Sequence, residues 1–556
     1  MLFWPTLALF FLCLTSSLEA RSNAHTKHRR EVIADRHGVV ATDDGRCSRI
    51  GMVVLREGGH VVDATVAATL CLGVVSPASS GIGGEAFLLM RLAIGEQQAL
   101  DMRETAPFLA FENMYAGNAT LKSKGALSIA VPREIAGLHK AWKQHRRLPW
   151  ARLVRPAESL ACLGFKVSAY LRMQMERTKS GILVNEGLPS VLTSNGKLLQ
   201  KGDICCNKKL AETLRRISDF GLEIFYNGTV GLDLVRDIKK AGGILTMKDL
   251  QTYQMLNILA QYRLPSGVTG SLGVHRKIEA LKHAYAVRMN LGDPDFVNIS
   301  PNFAKELKKT INDSMTFDPG HYGGKWNQIH DHGTSHLSII DDQGNAVSMT
   351  TTVNAYFGSQ TLSPSIGIVL NNEMDDFSIP MNVSAGVLPP ALVNFIRSGK
   401  RPLSSMSPTI VLKDNQLKAV VGASGGGNIF AATSEVLLNY FAIGKSPFSS
   451  VMTPRIHHQL IPNVVNYENW TTLYNDHFEV AASIREALRK KGHVLTGLAG
   501  GTIIQFIVQE TDSLQGNKHL RKLIAVSDPR KGSFLQVFEI IERFYRNNFL
   551  SFFSMV

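Results

Sequence analysis

The chain has 556 residues, of which 44% are hydrophobic and 19% charged, with a formal net charge of +14. This composition is typical of a globular protein and excludes a disordered one, and the length suggests two or more folding units. The positive charge indicates either a solvated basic surface or retention on acidic cell-wall polysaccharide or an anionic membrane surface. Nucleic acid is not an expected partner, because the chain has no recognisable binding module.

Residues 1–24 have the pattern of a secretory signal, with a short apolar core at Leu7–Leu14. A membrane-anchoring signal is the alternative. Six N-x-S/T sequons agree with the secretory route, at Asn118, Asn227, Asn298, Asn312, Asn382 and Asn469. We therefore expect a secreted, extracellular glycoprotein of the apoplast or cell wall, with a membrane-anchored form as the alternative.

The first two predicted helices are Arg46–Glu57 and Val61–Val75, separated by a short turn that contains Gly58 and Gly59. Two helices joined so closely run antiparallel, which brings Cys47 near Cys71. In an oxidising compartment these cysteines form a disulfide; the alternative is a pair of buried thiols. Without Cys13, which leaves with the signal, five cysteines remain, so at least one is unpaired.

Helical and strand-like patterns alternate along the next part of the chain, which indicates the α/β class. The helical patterns are Arg133–Gln144, Ala157–Leu163, Val167–Arg177, Leu210–Phe220, Val230–Ala241, Met255–Tyr262 and Val274–Arg288. Arg103 ends an earlier strand-like run. It is either a surface charge or a bidentate clamp for a substrate carboxylate, and its position alone favours the surface.

A polar hairpin is predicted from Thr334–Ile340 and Ala346–Asn354, with Gly344 at the left-handed position of its turn. Its register puts Thr334 opposite Thr352. Strand alternation gives an apolar face (Leu337, Ile339, Val347, Met349, Val353) and a polar face (Thr334, Ser338, Ser348, Thr350, Thr352, Asn354). The polar face is either a plain solvent-facing surface or a functional one. The lack of Lys and Glu on it, and Gly333 just before Thr334, favour the functional interpretation.

Several polar residues near the hairpin have more than one interpretation. Glu373 and Asp376 are suited to bind a metal, act as acid and base, orient a substrate ammonium or cap a turn. The lack of a ligand cluster argues against a metal. His330, His332 and His336 are expected to be solvated or hydrogen-bonded, and not metal ligands.

A glycine-rich turn, GASGGG, follows the predicted strand Leu417–Val421 and precedes a helix. Strand, G-x-S-x-G and helix is the nucleophile-elbow pattern, so a hydrolase that uses Ser424 is an alternative function. His477 or His493 would be its base and Asp476 its acid. The additional glycines also suit an oxyanion hole for a nucleophile located elsewhere.

Five motifs, in this order and at this spacing, resemble those of the γ-glutamyl transpeptidases, most closely the secreted plant members. They are HGTSHLSII, TTVNAYFGS, NNEMDDF, RPLSSMSPTI and VVGASGGGNI. The resemblance covers most of residues 36–532. It implies the α/β (α+β) fold of the N-terminal-nucleophile hydrolases, a four-layer αββα sandwich, and a reaction that needs no cofactor and no metal.

The resemblance also implies that the precursor cuts itself between Gly333 and Thr334. This leaves a large chain, residues 25–333, and a small catalytic chain, residues 334–556. A Thr hydroxyl needs a base, and the new α-amino group of Thr334, which titrates near ~8, can be that base. Thr334 would attack the γ-glutamyl carbonyl of glutathione or an S-conjugate. The resulting ester would pass to an amino acid, a dipeptide or water.

Other family roles carry over to matching positions, and Arg103 matches the clamp on the substrate α-carboxylate, which reverses the surface interpretation. Asn354, Glu373 and Asp376 match residues that hold the α-amino group, Ser404 and Ser405 match further carboxylate contacts, Gly425 and Gly426 match the oxyanion hole, Thr352 matches the hydroxyl beside the nucleophile, and Cys47 and Cys71 match a disulfide.

The sequence departs from the family pattern in three places. Tyr253-Gln254 runs directly into Met255, where the family has further strand sequence, so a core strand is predicted to be missing. An unrelated apolar tail occupies residues 533–556. Glu85 and Arg133 stand where related sequences usually have Gly. The missing strand gives a second alternative function, an inactive secreted glycoprotein that fails to mature.

Overall fold

The computed structural model describes residues 31–251, 275, 278–279, 281–282, 285–286, 306–327, 333–381, 387–512, 520–532 and 536–537. The predictions for the signal segment, for the helix Met255–Tyr262, for the missing strand and for most of the apolar tail lie outside these residues. Within them, every helix is too short or too polar to cross a membrane.

The chain folds into a mixed α/β structure. Its strands are β1 (Val32–Asp35), β2 (Val39–Thr42), β3 (Glu85–Arg91), β4 (Gln97–Asp101), β5 (Phe165–Lys166), β6 (Thr193–Ser194), β7 (Lys197–Leu198), β8 (Ile204–Cys205), β9 (Ser335–Ile340), β10 (Ala346–Thr352), β11 (Thr361–Leu362), β12 (Val369–Leu370), β13 (Thr409–Lys413), β14 (Gln416–Ser424), β15 (Ile456–His457), β16 (Val465–Thr471), β17 (His477–Glu479), β18 (Leu495–Leu498), β19 (Ile503–Asp512), β20 (Leu520–Ser527) and β21 (Gln536–Val537).

The helices alternate with these strands in the first half of the chain and are sparser in the second. They are α1 (Gly45–Arg56), α2 (Val61–Val75), α3 (Ala119–Ser123), α4 (Glu134–His145), α5 (Trp150–Leu163), α6 (Ala169–Arg177), α7 (Lys179–Val184), α8 (Leu188–Leu192), α9 (Lys208–Phe220), α10 (Glu223–Tyr226), α11 (Thr229–Lys240), α12 (Met247–Gln251), α13 (Ile429–Leu437), α14 (Pro447–Met452) and α15 (Ala482–Lys490). The residues described between 275 and 286 are also helical, as predicted for Val274–Arg288.

The predicted hairpin is confirmed as β9 and β10, which lie at the centre of a six-stranded sheet, sheet I. Its strand order is β21-β2-β9-β10-β3-β4. Ile339 pairs with Val347 and Leu337 with Met349, as the alternation pattern predicts. Gly344 has φ +87°, a left-handed conformation that glycine adopts without strain. Thr334 immediately precedes β9, and Thr352 is the last residue of β10.

A second sheet, sheet II, packs on the polar face of the hairpin. Its strand order is β1-β20-β19-β14-β13. The Ser338 hydroxyl donates to the Gln505 carbonyl at 3.2 Å, and the Ser348 hydroxyl donates to the Val421 carbonyl at 3.0 Å. Every residue of β9 and β10 is buried. The interpretation of this face as a plain solvent-facing surface is therefore wrong, because a second sheet covers it.

His336 illustrates how tightly the two sheets pack. Its ring is fully buried, lies 2.8 Å from the Thr350 hydroxyl and 3.1 Å from that of Ser338, and fills the space that a side chain at Gly422 would need. Burial lowers the pKa of His336 to about 3, so the ring is neutral at physiological pH. The prediction of a hydrogen-bonded histidine is confirmed here, whereas His330 and His332 lie outside the described residues.

Helices cover the outer faces of both sheets. Leu337 and Met349 join helix residues such as Val66 and Leu70 in the largest apolar cluster. On sheet II the equivalent contacts come from α13 and α14. Helix α5 begins at Trp150, seven residues before the predicted start, and continues through Pro156.

The predicted disulfide between Cys47 and Cys71 is formed, with 5.4 Å between the two Cα atoms. It links the start of α1 to α2, and the two helices run antiparallel as the short connection requires. Among the described residues, Cys162, Cys205 and Cys206 are free thiols. An unpaired cysteine was expected from the odd count.

Candidate active site

The site begins at the peptide bond between Gly333 and Thr334. Gly333 has φ +92°, and a Cβ at this position would lie 2.8 Å from the Asn354 carbonyl oxygen, so glycine is required there. The Thr352 hydroxyl donates to the Gly333 carbonyl at 2.5 Å and accepts from the Asn354 backbone N–H at 2.9 Å. Thr334 is 6% exposed. A hydrogen-bond donor is thus aimed at the carbonyl next to a buried threonine.

Gly425 and Gly426 leave sheet II at the same end as Thr334. Val420 packs near Ile340, and Gly422 packs on His336, so successive residues of β14 move toward the start of β9. Gly425 has φ +133° and Gly426 has φ +59°. Both glycines follow Ser424, the last residue of β14, so they lie beyond its strand pairing.

In the described part of the chain, Ser424 does not make the contact with a histidine that a nucleophile elbow requires. The Ser424 hydroxyl donates at 2.9 Å to the Asp43 carboxylate, which also receives the Lys531 ammonium at 2.7 Å. His493 lies 2.7 Å from His275, and His477 contacts Thr471 at 3.0 Å. Within the described part of the chain, neither histidine is a hydrogen-bond partner of Ser424. The strand-turn-helix pattern is present, but among the described residues neither candidate base contacts Ser424.

Arg103 is 1% exposed, so the interpretation of Arg103 as a surface charge is wrong. Strand β4 ends at Asp101, two residues earlier, and the Arg103 side chain enters a buried cluster. Its terminal nitrogens donate to Glu85, Glu373, Asp376 (2.7 Å) and the Leu403 carbonyl, and its Nε donates to the Pro402 carbonyl at 3.3 Å.

This cluster contains more carboxyl groups than cations. Carboxyl oxygens of Glu85, Glu104 and Glu373 all lie within 4.8 Å of one another, and all three residues are buried. The expectation that no cluster of possible metal ligands surrounds Glu373 is therefore wrong. The cation that Glu85 and Glu373 contact is the Arg103 guanidinium. Burial, together with repulsion from Glu85, holds the pKa of Glu104 and of Glu373 well above the usual range.

The remaining predicted substrate residues lie at the same place. Asn354 adopts φ +72° and donates from its amide to Asp376 at 3.2 Å. Asparagine tolerates this left-handed conformation better than most residues. Ser404 and Ser405 follow Leu403, whose carbonyl accepts from Arg103. The structure thus brings together Arg103, Asn354, Glu373, Asp376 and the segment with the two serines, although they come from widely separated parts of the sequence.

Sequence reasoning missed two acidic residues of the site, Glu104 and Glu134, and noted Glu85 only as a departure from the family pattern. Glu134 is fully buried and accepts a hydrogen bond from the Thr351 hydroxyl. The available signal was weak. Each of them follows a residue that the sequence had already singled out. Glu104 follows the candidate site residue Arg103, and Glu134 follows Arg133, which departs from the family pattern.

We expect Glu134 to make the free energy of unfolding fall as the pH rises. Burial raises its pKa from 4.5 to about 8. Between these values the folded protein keeps a proton that the unfolded chain has lost, so stability falls by up to about 1.4 kcal/mol per pH unit and levels off above the folded pKa. Melting temperatures at pH 5.5 and pH 8 should therefore differ less in Glu134→Gln than in the parent. Glu57→Gln, at an exposed site, should keep the parent's difference. An unchanged difference in Glu134→Gln would contradict this assignment.

Comparison with solved structures identifies the fold. The chain superimposes on cephalosporin acylase from Bacillus halodurans with a TM-score of 0.78 and 23% sequence identity, covering 93% of this chain and 98% of the acylase. The chain therefore shares the mixed α/β fold of this solved structure.

Sequence comparison identifies the family. The profile of the gamma-glutamyltranspeptidase family matches residues 47–255 and 252–537, and the chain belongs to this family. Glutathione hydrolase 2 of Arabidopsis thaliana is 58% identical over 554 residues, covering 92% of this chain and 96% of that protein. Glutathione hydrolase proenzyme 1 of Schizosaccharomyces pombe is 36% identical over 539 residues, covering 88% and 84%. The chain is thus an enzyme of the gamma-glutamyltransferase and glutathione hydrolase type.

The two matched stretches of the family profile meet at residues 252–255. This is the junction at which the sequence predicts a missing strand. The junction lies outside the residues that the structure describes. Helix α12 ends just before it, at Gln251.

Proposed function

We propose that the protein is a self-cleaving γ-glutamyl transferase and hydrolase that acts on glutathione and its S-conjugates through a γ-glutamyl ester of Thr334. The observation that carries this proposal is the hydrogen bond from the Thr352 hydroxyl to the Gly333 carbonyl. A donor at this oxygen stabilises the negative charge that forms when a nucleophile attacks the carbonyl carbon. The neighbouring nucleophile is the hydroxyl of Thr334 itself.

In this proposal, self-cleavage takes two steps. The Thr334 oxygen bonds to the Gly333 carbonyl carbon, and the Thr334 nitrogen leaves with a proton, which converts the amide into an ester. Water then cleaves the ester and leaves a carboxylate on Gly333 and a free α-amino group on Thr334. The products are a large chain, residues 25–333, and a small catalytic chain, residues 334–556. The relative from Schizosaccharomyces pombe has the word proenzyme in its name, which agrees with a precursor.

In the mature enzyme, the Thr334 α-amino group takes the proton of the Thr334 hydroxyl as its oxygen attacks the γ-glutamyl carbonyl. The same proton then goes to the leaving amine, cysteinylglycine in the case of glutathione. We propose that N–H groups of Gly425 and Gly426 receive the oxyanion. An amino acid, a dipeptide or water releases the γ-glutamyl group from Thr334.

Donor recognition in this proposal uses the buried cluster. The Arg103 guanidinium presents parallel donors that suit the α-carboxylate of the donor, with Ser404 and Ser405 beside it. Asn354, Glu373 and Asp376 supply acceptors for the α-ammonium group. Burial strengthens these charge pairs relative to the same pairs in water.

Purification and assay of the protein test this proposal directly. We expect two fragments on a denaturing gel, the smaller one beginning at Thr334, and release of p-nitroaniline from γ-glutamyl-p-nitroanilide. Glycylglycine should speed the release if transfer competes with hydrolysis. An intact single chain with full activity would refute the mechanism. An uncleaved chain without activity would instead support the inactive glycoprotein.

We also propose the expected four-layer arrangement and the expected secretion of the protein, for which the structure offers the following support. Apolar clusters on both faces of the paired sheets support the four-layer αββα arrangement of the N-terminal-nucleophile hydrolases. The disulfide between Cys47 and Cys71 favours an oxidising, extracellular compartment. The sequon residues Asn118, Asn227, Asn312 and Asn469 are exposed, whereas Asn298 and Asn382 lie outside the described residues. We propose a secreted glycoprotein, with its net positive charge suited to an acidic cell wall.

A further inference from the structure

Glu85 is a buried acid at the junction between the cleavage site and the donor cluster. It is the first residue of β3 and pairs in register with Thr352 on β10. It is 0% exposed. One of its carboxylate oxygens accepts from Arg103 Nη1, and the other accepts from the Glu104 backbone N–H at 2.9 Å. Both oxygens are therefore fixed, and one of them lies on the guanidinium.

The Arg103 guanidinium has all three nitrogens engaged. Nη1 donates to Glu85 and Glu373, Nη2 to Asp376 and the Leu403 carbonyl, and Nε to the Pro402 carbonyl. A further carboxylate can approach Arg103 only if one of these acceptors moves away. Among these acceptors, Glu373 and Asp376 are assigned to the α-ammonium group in the proposed function, whereas Glu85 has no assigned role there.

The acidic surroundings of Arg103 also disfavour a further anion. Four buried carboxyl groups, those of Glu85, Glu104, Glu373 and Asp376, surround this guanidinium. Buried charges at such short range interact far more strongly than exposed ones. Burial, with repulsion from Glu85, raises the pKa of both Glu104 and Glu373, so these acidic groups interact with one another across the cluster.

We propose that Glu85 is a specificity-determining residue, which competes with the α-carboxylate of the γ-glutamyl donor for Arg103. The enzyme consequently binds donors with a free α-carboxylate weakly, and it discriminates little between them and donors whose α-carboxylate is an amide. This inference rests on the proposed role of Arg103 in the proposed function. It adds a residue that restrains donor binding in this chain.

Binding measurements on the full-length protein test the competition without requiring turnover. We would titrate the parent and Glu85→Gln with L-glutamate and with L-isoglutamine, which carries an amide in place of the α-carboxylate. Glutamine at 85 retains a side-chain oxygen for the Glu104 N–H, whereas its NH2 group cannot accept from Arg103 Nη1, so this nitrogen is released. L-glutamate should bind Glu85→Gln at least ~10-fold more tightly than the parent, since the carboxyl group that competes for Arg103 is removed. The Kd for L-isoglutamine should change less than ~2-fold.

Glu57→Gln is the control, because it replaces a carboxyl group by an amide at an exposed position outside this cluster. Its Kd for L-glutamate should stay near the parent value. Should Glu85→Gln fail to fold, Glu85→Ala removes the same carboxyl group with a smaller side chain, and the same gain for L-glutamate is expected.

The outcomes separate this inference from the proposed function. Equal Kd values for L-glutamate in the parent and the Glu85 variants, weaker binding by the variants, or no binding by any of them would overturn the competition. An equal gain for L-glutamate and L-isoglutamine would also overturn it, because a purely structural effect would not distinguish the two ligands. The proposed function fails separately, if no fragment begins at Thr334 and no p-nitroaniline is released.

Discussion

Thr334→Ala is expected to leave the protein as a single chain that releases no γ-glutamyl group. The substitution removes the hydroxyl that attacks both the Gly333 carbonyl and the donor, and the Thr352 hydroxyl remains in place without a nucleophile beside it. Removal of a covalent nucleophile costs roughly 10⁴-fold or more in kcat. A denaturing gel measures the cleavage, and γ-glutamyl-p-nitroanilide measures the activity.

Two variants make this result specific. Thr334→Ser keeps a hydroxyl on the nucleophile and should retain measurable cleavage. Ser424→Ala should cleave and turn over, although it loses the hydrogen bond to Asp43. If Ser424→Ala abolishes activity while Thr334→Ala retains it, the hydrolase that uses Ser424 is the better explanation.

The hairpin was predicted well because its information is local. Gly344 defines the turn, and alternation along two short strands then defines every pair, including Ile339 with Val347. The helix Val61–Val75 was predicted with the observed bounds, since an apolar run between Gly59 and Pro77 has clear ends. The disulfide depended on the same local connection between two helices.

The donor cluster could not be predicted from local pattern. Arg103 contacts Glu373 and Leu403, which lie 270 and 300 residues further along the chain. A single arginine at the end of a strand is usually exposed, and only the tertiary fold shows that this one is buried. The family resemblance placed Arg103 in the site. It did not indicate that Glu85 would accept a hydrogen bond from one of the Arg103 nitrogens.

The burial of the hairpin's polar face was not predicted, for a related reason. Alternation shows which residues share a face of a strand, but it does not show what covers that face. Ser338 and Ser348 are buried because their hydroxyls donate to carbonyls of sheet II. Buried hydroxyls are tolerated where such partners exist, so polarity alone is a poor guide to exposure between two packed sheets.

Thr352→Val should slow self-cleavage without removing the nucleophile. Valine has nearly the shape of threonine but lacks the hydroxyl that donates to the Gly333 carbonyl. Loss of one donor to an oxyanion costs about 10²-fold to 10³-fold in rate. The fraction of intact chain, followed on a gel from purification over several days, measures this rate.

Thr350→Val is the matched control for this change, because it removes a neighbouring hydroxyl on the same strand that contacts His336 and not Gly333. It is expected to lower stability, since a buried histidine loses a hydrogen bond, while self-cleavage continues at close to the parent rate. Thr352→Ser restores the donor and should restore cleavage. A parent-like cleavage rate in Thr352→Val would show that the hydrogen bond to Gly333 does not contribute to the reaction. A low rate in both valine variants would instead indicate a general loss of packing between the sheets, so the contrast between positions 350 and 352 decides whether this one hydroxyl acts on the scissile bond.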